Sequence, residues 1–191
     1  MYKITIGVPS NRLIKPQTAE CLLKLMARGG YEFHPICPSE GYTIAENRTY
    51  TAVKAVNNGS DYLFFVDDDM TFEPDYLDKL IAHDKDIVGG AYPSRMENSP
   101  RLVYRSMDDV VDVSKTPLTE LTKVVAKGTA LMLIKIKVFS MPRPWFHFTY
   151  NEQGMCTEGE DWFFCRKAGE HGFETWVDPT LKNGHLGDVT L

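Results

Sequence analysis

The chain lacks any hydrophobic run approaching the roughly 20 apolar residues of a membrane span. Its first residues, MYKITIGVPSNR, turn polar too early for a signal peptide. Cysteine is scarce: Cys21, Cys37, Cys156 and Cys165 form no CxxC pair, which argues against a zinc site and fits reduced thiols. Basic excess is missing too. The 21 Lys and Arg are outnumbered by 26 Asp and Glu, for a net charge of −5. That excludes a general nucleic-acid binder, which needs a basic face for phosphates. It leaves room for one anionic ligand held locally by a metal ion or a few arginines. No internal repeat or low-complexity linker is visible. With 191 residues, 43% of them hydrophobic and 25% charged, the chain has the material for a sizeable core, and 14 Gly and 11 Pro provide many turns. The expectation is a single cytoplasmic domain over 1–191, with peripheral membrane contact left open. A break near Gly89-Gly90 divides it into halves 1–90 and 91–191.

The first half alternates strand and helix patterns. Ile4, Ile6 and Val8 alternate with smaller or polar residues up to Pro9, as in a strand. Pro16 suits a helix start. Ala19, Leu22, Leu23, Met26 and Ala27 follow at helical spacing before Gly29-Gly30. Phe33 to Cys37 predicts a second strand, and Ala45, Ala52, Val53 and Val56 predict one face of a second helix. The continuous apolar run Tyr62 to Val66 predicts a central strand covered on both faces. Pro74 opens a third helix with Leu77, Leu80 and Ile81 inward, and Ile87-Val88 reads as a fourth strand. This βαβαβαβ order predicts a parallel α/β sheet. The second half reads as short antiparallel strands at 102–104, 110–113 and 124–125, with a stronger one at 130–134. An aromatic loop over 142–159, a helix over 160–168 and a last strand at 175–177 follow.

Asp67-Asp68-Asp69, directly after the apolar run, is the strongest chemical signal. Three adjacent carboxylates repel one another. At the carboxyl end of a central parallel strand they lie where open α/β sheets bind ligands. Side chains two apart on an extended chain point the same way, so Asp67 and Asp69 are expected to converge on a hard cation such as Mg²⁺ or Mn²⁺. The bland alternative is a solvated acidic turn capping a helix.

Val66-Asp67-Asp68-Asp69-Met70 resembles the DxD motif of glycosyltransferases of the GT-A fold, family 2 in particular. Four further segments, in matching order, agree with it. Gly7 to Arg12 resembles the nucleotide loop after the first strand, and Ala45-Glu46-Asn47-Arg48 the "ARN" segment. Gly159-Glu160-Asp161-Trp162-Phe163-Phe164-Cys165 resembles the acceptor-side "GED…FC" motif. Gly184-His185-Leu186-Gly187 resembles the terminal "H-x-G". The likeness spans nearly the whole chain and implies a small stand-alone catalytic domain. Its fold would be Rossmann-like, with a parallel N-terminal half carrying helices on both faces and an antiparallel acceptor-side half.

The resemblance also implies a nucleoside-diphosphate sugar donor (a UDP- or GDP-sugar), Mn²⁺ or Mg²⁺, and a hydroxyl acceptor that is a saccharide, lipid or protein. Asp69 would be the direct metal ligand, with Asp67 on metal-bound water or ribose and His185 completing the metal shell. Pro9, Ser10, Asn11, Arg12, Arg48, Asp68, Gly128 and Thr129 would line the nucleotide and donor sugar, the arginines by forked hydrogen bonds or stacking. Asp161 would be the general base of an inverting transfer, with Glu160, Trp145 and Trp162 on the acceptor. Each has a plainer reading. Acidic residues favour helix N-termini, arginines solvate loops and helices, and tryptophans fill cores. Gly89 to Arg95 should run beside the donor, and Lys135 and Lys137 should form the wet face of a strand. Two other functions remain. One is a nucleotidyltransferase, though the glycine- and lysine-rich loop it needs after the first strand is replaced here by Val8-Pro9-Ser10-Asn11-Arg12. The other is a non-catalytic sugar-nucleotide-binding module.

Overall fold

The computed structural model describes residues 1–10, 13–36, 43–93, 100–106 and 108–187. The expectations placed on Asn11, Arg12, Cys37, Ser94 and Arg95 lie outside the described residues. Strand β1 (Lys3–Gly7), helix α1 (Pro16–Ala27), β2 (Glu32–Ile36), α2 (Ile44–Asn57) and β3 (Tyr62–Val66) follow the sequence pattern closely. Next come β4 (Met70–Phe72), α3 (Tyr76–Ala82), β5 (Ile87–Gly90), β6 (Leu102–Tyr104), β7 (Val110–Asp112) and β8 (Thr122–Val124). The chain continues through β9 (Leu131–Lys135), a 3₁₀ turn (Ile136–Ser140), β10 (Thr149–Tyr150), β11 (Cys156–Glu158), α4 (Glu160–Glu170), β12 (Thr175–Asp178) and β13 (Asn183–His185).

Seven strands form the central sheet in the order β2-β1-β3-β9-β5-β12-β8. The pairs β1–β2, β1–β3 and β5–β12 are parallel, whereas β9 is antiparallel to both of its neighbours and β8 is antiparallel to β12. The fourth strand therefore runs in the expected direction but does not adjoin the third. Leu131–Lys135 inserts between them because Leu131 to Ile134 are apolar on both faces, and only an interior position covers both.

Alternation along β3 divides the core. Phe64 and Val66 join Ile4, Ile6, Leu25, Leu77 and Leu80 on one face. Leu63 and Phe65 join Ala52, Ala55, Met132, Trp145 and Phe164 on the other. Helices α1 and α3 thus cover one face, and α2 and α4 the other. Two helical faces differ from expectation. In α1, Leu23 and Met26 are exposed, and Thr18 and Leu25 are buried. In α2 the buried row is Ala45, Arg48, Ala52 and Ala55, while Val56 is exposed. A guanidinium occupies one core-facing position of that row, so the apolar pattern alone could not mark it. Helix α2 is fixed at its start by a reciprocal cap: Glu46 N–H donates to Thr43 Oγ1, and Thr43 N–H donates to Glu46 Oε2.

No periodicity marks β4 and β13, which pair antiparallel with His185 opposite Met70. Each is only three residues long, and the second is Asn-Gly-His, a composition that reads as a turn. Lys135 closes β9 and Lys137 falls in the 3₁₀ turn, where they pair with Asp84 and Asp86. Among the described residues no helix is long and apolar enough to cross a membrane.

Candidate active site

The sheet topology brings most of the singled-out residues to one place. Asp67 follows β3, Tyr92 follows β5, Gly128 and Thr129 precede the antiparallel β9, and Glu160 and Asp161 open α4. Pro9 and Ser10 follow β1, and Pro9 is buried.

Asp67 and Asp69 do not converge. The chain leaves β3 into a turn closed by Met70 N–H to Asp67 O (3.2 Å), so the two-residue alternation of a strand stops at Val66. Asp67 receives a forked contact from Arg48, with Nη1 to Oδ1 at 3.1 Å and Nη2 to Oδ2 at 3.3 Å. Asp69 instead meets His185, whose Nε2 lies 3.2 Å from Oδ1. The expectation of Asp67 and Asp69 as joint metal ligands is corrected accordingly. Among the described residues no group of three or more His, Cys, Asp or Glu side chains is arranged to hold a metal.

Arg48 likewise departs from expectation. It is 3% exposed, and its Nε also donates to Glu160 Oε1 at 3.2 Å. All three guanidinium nitrogens thus face protein carboxylates rather than a nucleotide. Burial disfavours its charge, but Asp67 and Glu160 outweigh this and hold its pKa above the ordinary arginine value. The ring of Phe65 lies 5.4 Å from the guanidinium carbon. One buried arginine therefore ties the end of β3 to the start of α4.

His185 is oriented from behind. Its Nδ1 lies 2.9 Å from Pro93 O, and a carbonyl only accepts, so Nδ1 carries the hydrogen. Nε2 then presents its lone pair to the Asp69 carboxylate. Two electron-rich atoms at this distance need a shared positive charge between them, which a proton or a metal ion supplies. An imidazole nitrogen with a carboxylate oxygen is a donor set compatible with Mn²⁺, and with Mg²⁺ when phosphate and water oxygens complete the shell. The residues fit a cation that takes most of its ligands from a bound diphosphate. Lys15, which the sequence reading passed over, steadies this corner. Its backbone N–H donates to Asp68 O (2.8 Å), and its Nζ donates to Leu186 O and Gly187 O (both 2.9 Å). Leu186 N–H returns to Asp69 O at 2.8 Å.

Asp161 accepts from a first-turn N–H of α4 and also faces Gly128. Its Oδ1 accepts from Trp162 N–H at 2.8 Å. Its Oδ2 lies 3.5 Å from where a Cβ on Gly128 would stand. Burial, then the neighbouring Glu160, pushes its carboxyl above the ordinary aspartate value. Beneath Gly128 lie Tyr92, from the segment expected beside the donor, and Lys127, to which the motifs assign nothing. Tyr92 Oη accepts from Ala130 N–H at 3.0 Å, and its half-buried ring meets His185 edge-on at 5.9 Å. Lys127, 6% exposed, donates to Gly128 O and Leu131 O at 2.6 and 3.1 Å, and burial draws its ammonium down to about 8. A lysine between Ala126 and Gly128 at the mouth of an apolar strand was the available signal. Thr129 is buried, so it supports the segment and does not face a ligand directly.

Gly128 permits close approach. A Cβ there would overlap the Tyr92 hydroxyl and lie 3.1 Å from its Cζ. Gly128→Ala is expected to displace the tyrosine, break its contact with Ala130 and lower stability by about 1–3 kcal/mol, as overpacking of a close-packed interior does. Thermal denaturation checks this, with Gly169→Ala as a control that should not lower stability, because a Cβ there meets nothing within 4 Å and alanine favours the helix.

The two expected acceptor tryptophans separate. Trp145 is 4% exposed, donates from Nε1 to Met141 O at 2.9 Å and packs on Phe139. It belongs to the core, since its ring closes the face under α4. Trp162 is half-buried, stands edge-on to Tyr104 at 4.8 Å and lines an open cavity.

No protein-family model matches the chain, and no curated protein matches it in sequence. Solved structures do. A197 from STIV aligns with a TM-score of 0.65 at 19% identity, over 98% of this chain and 87% of that one. A structure of GalNAc-T7 with UDP, GalNAc and Mn²⁺ aligns with a TM-score of 0.58 at 12% identity, over 99% of this chain and 44% of that one. The present chain thus corresponds to less than half of that glycosyltransferase. Identities this low speak to architecture, and the architecture agrees with the sheet order: the chain has a Rossmann-like, mixed α/β fold of the GT-A type.

Proposed function

We propose that the chain is a metal-dependent glycosyltransferase that moves a sugar from a UDP- or GDP-sugar to a hydroxyl acceptor with inversion. The observation that carries this reading is the Arg48 bridge. It joins Asp67, at the ligand-binding end of β3, to Glu160, the neighbour of Asp161. A carboxylate at the donor end and a carboxylate able to act as base are thereby held in one frame. The bound contents of the GalNAc-T7 structure (UDP, GalNAc and Mn²⁺) support the same assignment on the same fold.

In this reading Pro9 and Ser10 shape the base pocket. Gly128 lets the donor sugar approach the backbone, and Asp68 lies by the nucleotide. Asp69 and His185 would hold the cation, which supplies positive charge to the diphosphate leaving group. Asp161 accepts the proton of the acceptor hydroxyl as its oxygen bonds to the anomeric carbon and the bond from that carbon to the diphosphate breaks. The raised pKa direction of Asp161 suits a base that must be strong enough to take that proton. Arg48 then acts by positioning Asp67 and Glu160, not by touching phosphate.

Calorimetric titration with UDP and GDP, with and without Mn²⁺, tests the assignment. One nucleotide is expected to bind at least tenfold more tightly with the metal, and Asp69→Asn is expected to remove that difference. Unchanged affinity and metal dependence in Asp69→Asn would sink the metal-site assignment. Release of pyrophosphate from a nucleoside triphosphate would favour a nucleotidyltransferase instead.

A further inference from the structure

A second concavity opens beside the proposed base. Trp162, Cys165 and Gly169 recur at helical spacing on α4, and across from them stand Val124 and Val125 of β8 and its continuation, with Phe173 before β12. They enclose a cavity of about 870 Å³. That size falls within the few hundred to one thousand Å³ typical of pockets for small organic ligands.

Its chemistry selects against ions. Lys123 at the rim pairs with Glu174 at 2.7 Å. Arg166 pairs with Glu158 at 2.8 Å and Glu170 at 2.6 Å. The Cys165 thiol is pushed up to about 11 by burial, so this wall is neutral at physiological pH. What remains is an indole, a phenyl ring, two valines and a thiol, a surface that gains by contact with apolar carbon.

The cavity adjoins the start of α4, where Glu160 and Asp161 stand. Gly159 lines it and is also the N-cap of α4, immediately before Glu160 and Asp161. Cys165 lies one helical turn beyond Asp161, and its thiol donates to Lys127 O, next to Gly128. We propose that this cavity receives the apolar part of the acceptor, an uncharged aryl or alkyl group whose attached hydroxyl faces Asp161. The acceptor class is then an amphiphilic alcohol or glycoside. This rests on the glycosyltransferase reading.

Methyl, hexyl and 2-naphthyl glucosides serve as probes. Binding is followed without donor by amide chemical shifts at Val124, Trp162 and Phe173, and transfer is followed with the nucleotide sugar that binds. The naphthyl compound is expected to bind at least tenfold more tightly than the methyl compound and to shift those three amides. Transfer to it should show the same preference in kcat/KM. Gly169→Phe is expected to erase the preference, because a side chain at Gly169 enters open space. It should leave the melting temperature and nucleotide affinity unchanged. Thr157→Trp, an exposed position on the same cavity wall, is the second plugging variant should Gly169→Phe fold poorly. Equal affinities for methyl and naphthyl probes, shifts confined to other residues, or a preference that survives both plugs would overturn the proposal. So would tight naphthyl binding with no preference in transfer. Failure of UDP and GDP to bind is a separate readout and counts against the transferase reading itself.

Discussion

Arg48→Met is expected to lower the melting temperature by roughly 10 °C. The substitution leaves two carboxylates facing each other's neighbourhood without their cation. Asp67 and Glu160 are 18% and 11% exposed at the side chain, and Arg48 is 4% exposed. Breaking a buried ion pair from one side costs about 3–5 kcal/mol, because the partner keeps its desolvation penalty and loses its compensation. In a domain of this size each kcal/mol moves the transition by roughly 2–4 °C. Exposed pairs set the contrast. Lys24–Glu20 has side chains 59% and 63% exposed, where solvent screens the pair and side-chain entropy offsets most of its attraction. Lys24→Met is therefore expected to shift the transition by no more than a degree or two. Arg48→Lys should fall between the two, since one ammonium cannot reproduce a fork to Asp67 together with a contact to Glu160. The triple change Arg48→Met, Asp67→Asn, Glu160→Gln should recover much of the lost stability by removing the stranded charges, while leaving nucleotide binding impaired. Thermal and urea denaturation read all four variants. An Arg48→Met shift no larger than that of Lys24→Met would show that the bridge is not a structural element.

The same bridge marks how far the residues alone could be read. Periodicity located β1 to β3, α1 to α4 and β5 because each is a run long enough to express its period. It could not place β9 between β3 and β5, since strand order depends on which strand needs cover on both faces, a property of the assembled sheet. Motif resemblance brought Asp67, Asp69, Asp161 and His185 to one end of the fold. It did not distinguish their partners. The strand rule that aligned Asp67 with Asp69 ends where the chain turns, one residue after Val66. A forked cation suits phosphate, so the sequence alone points Arg48 at a nucleotide. The structure gives that fork two carboxylates, and only tertiary packing of α2 against β3 and α4 decides between those partners. Lys127 was hidden for a related reason. Its role comes from burial beside Gly128, and burial of a polar residue is the property sequence pattern predicts least well.

Asp161→Asn is expected to reduce kcat by about 10²–10⁴-fold, the usual worth of a positioned general base, without loss of stability at neutral pH. The two effects separate a base from a hydrogen-bond acceptor alone. The amide keeps an oxygen to accept from Trp162 N–H, so the start of α4 stays intact. What it removes is an ionised carboxylate disfavoured by burial and then by Glu160. A folded-state pKa above the unfolded value means that the folded chain binds the proton more tightly. The wild-type protein is therefore relatively more stable below the ordinary aspartate value of 3.8, and it loses that contribution as pH rises through the raised value. Asn carries no such cost, so its advantage should be greatest above the raised pKa and should vanish in acid, where both side chains are neutral. Melting temperatures from pH 3 to pH 8 follow this difference. On the proposed function, turnover of the wild-type protein should fall toward acid as Asp161 protonates, and the residual rate of the variant should lack that limb. Wild-type turnover within tenfold of the variant's would leave Asp161 as an acceptor for a first-turn N–H of α4 alone. A variant that is at least as stable and nearly inactive would mean that the fold tolerates an unfavourable charge at this position because the reaction requires it.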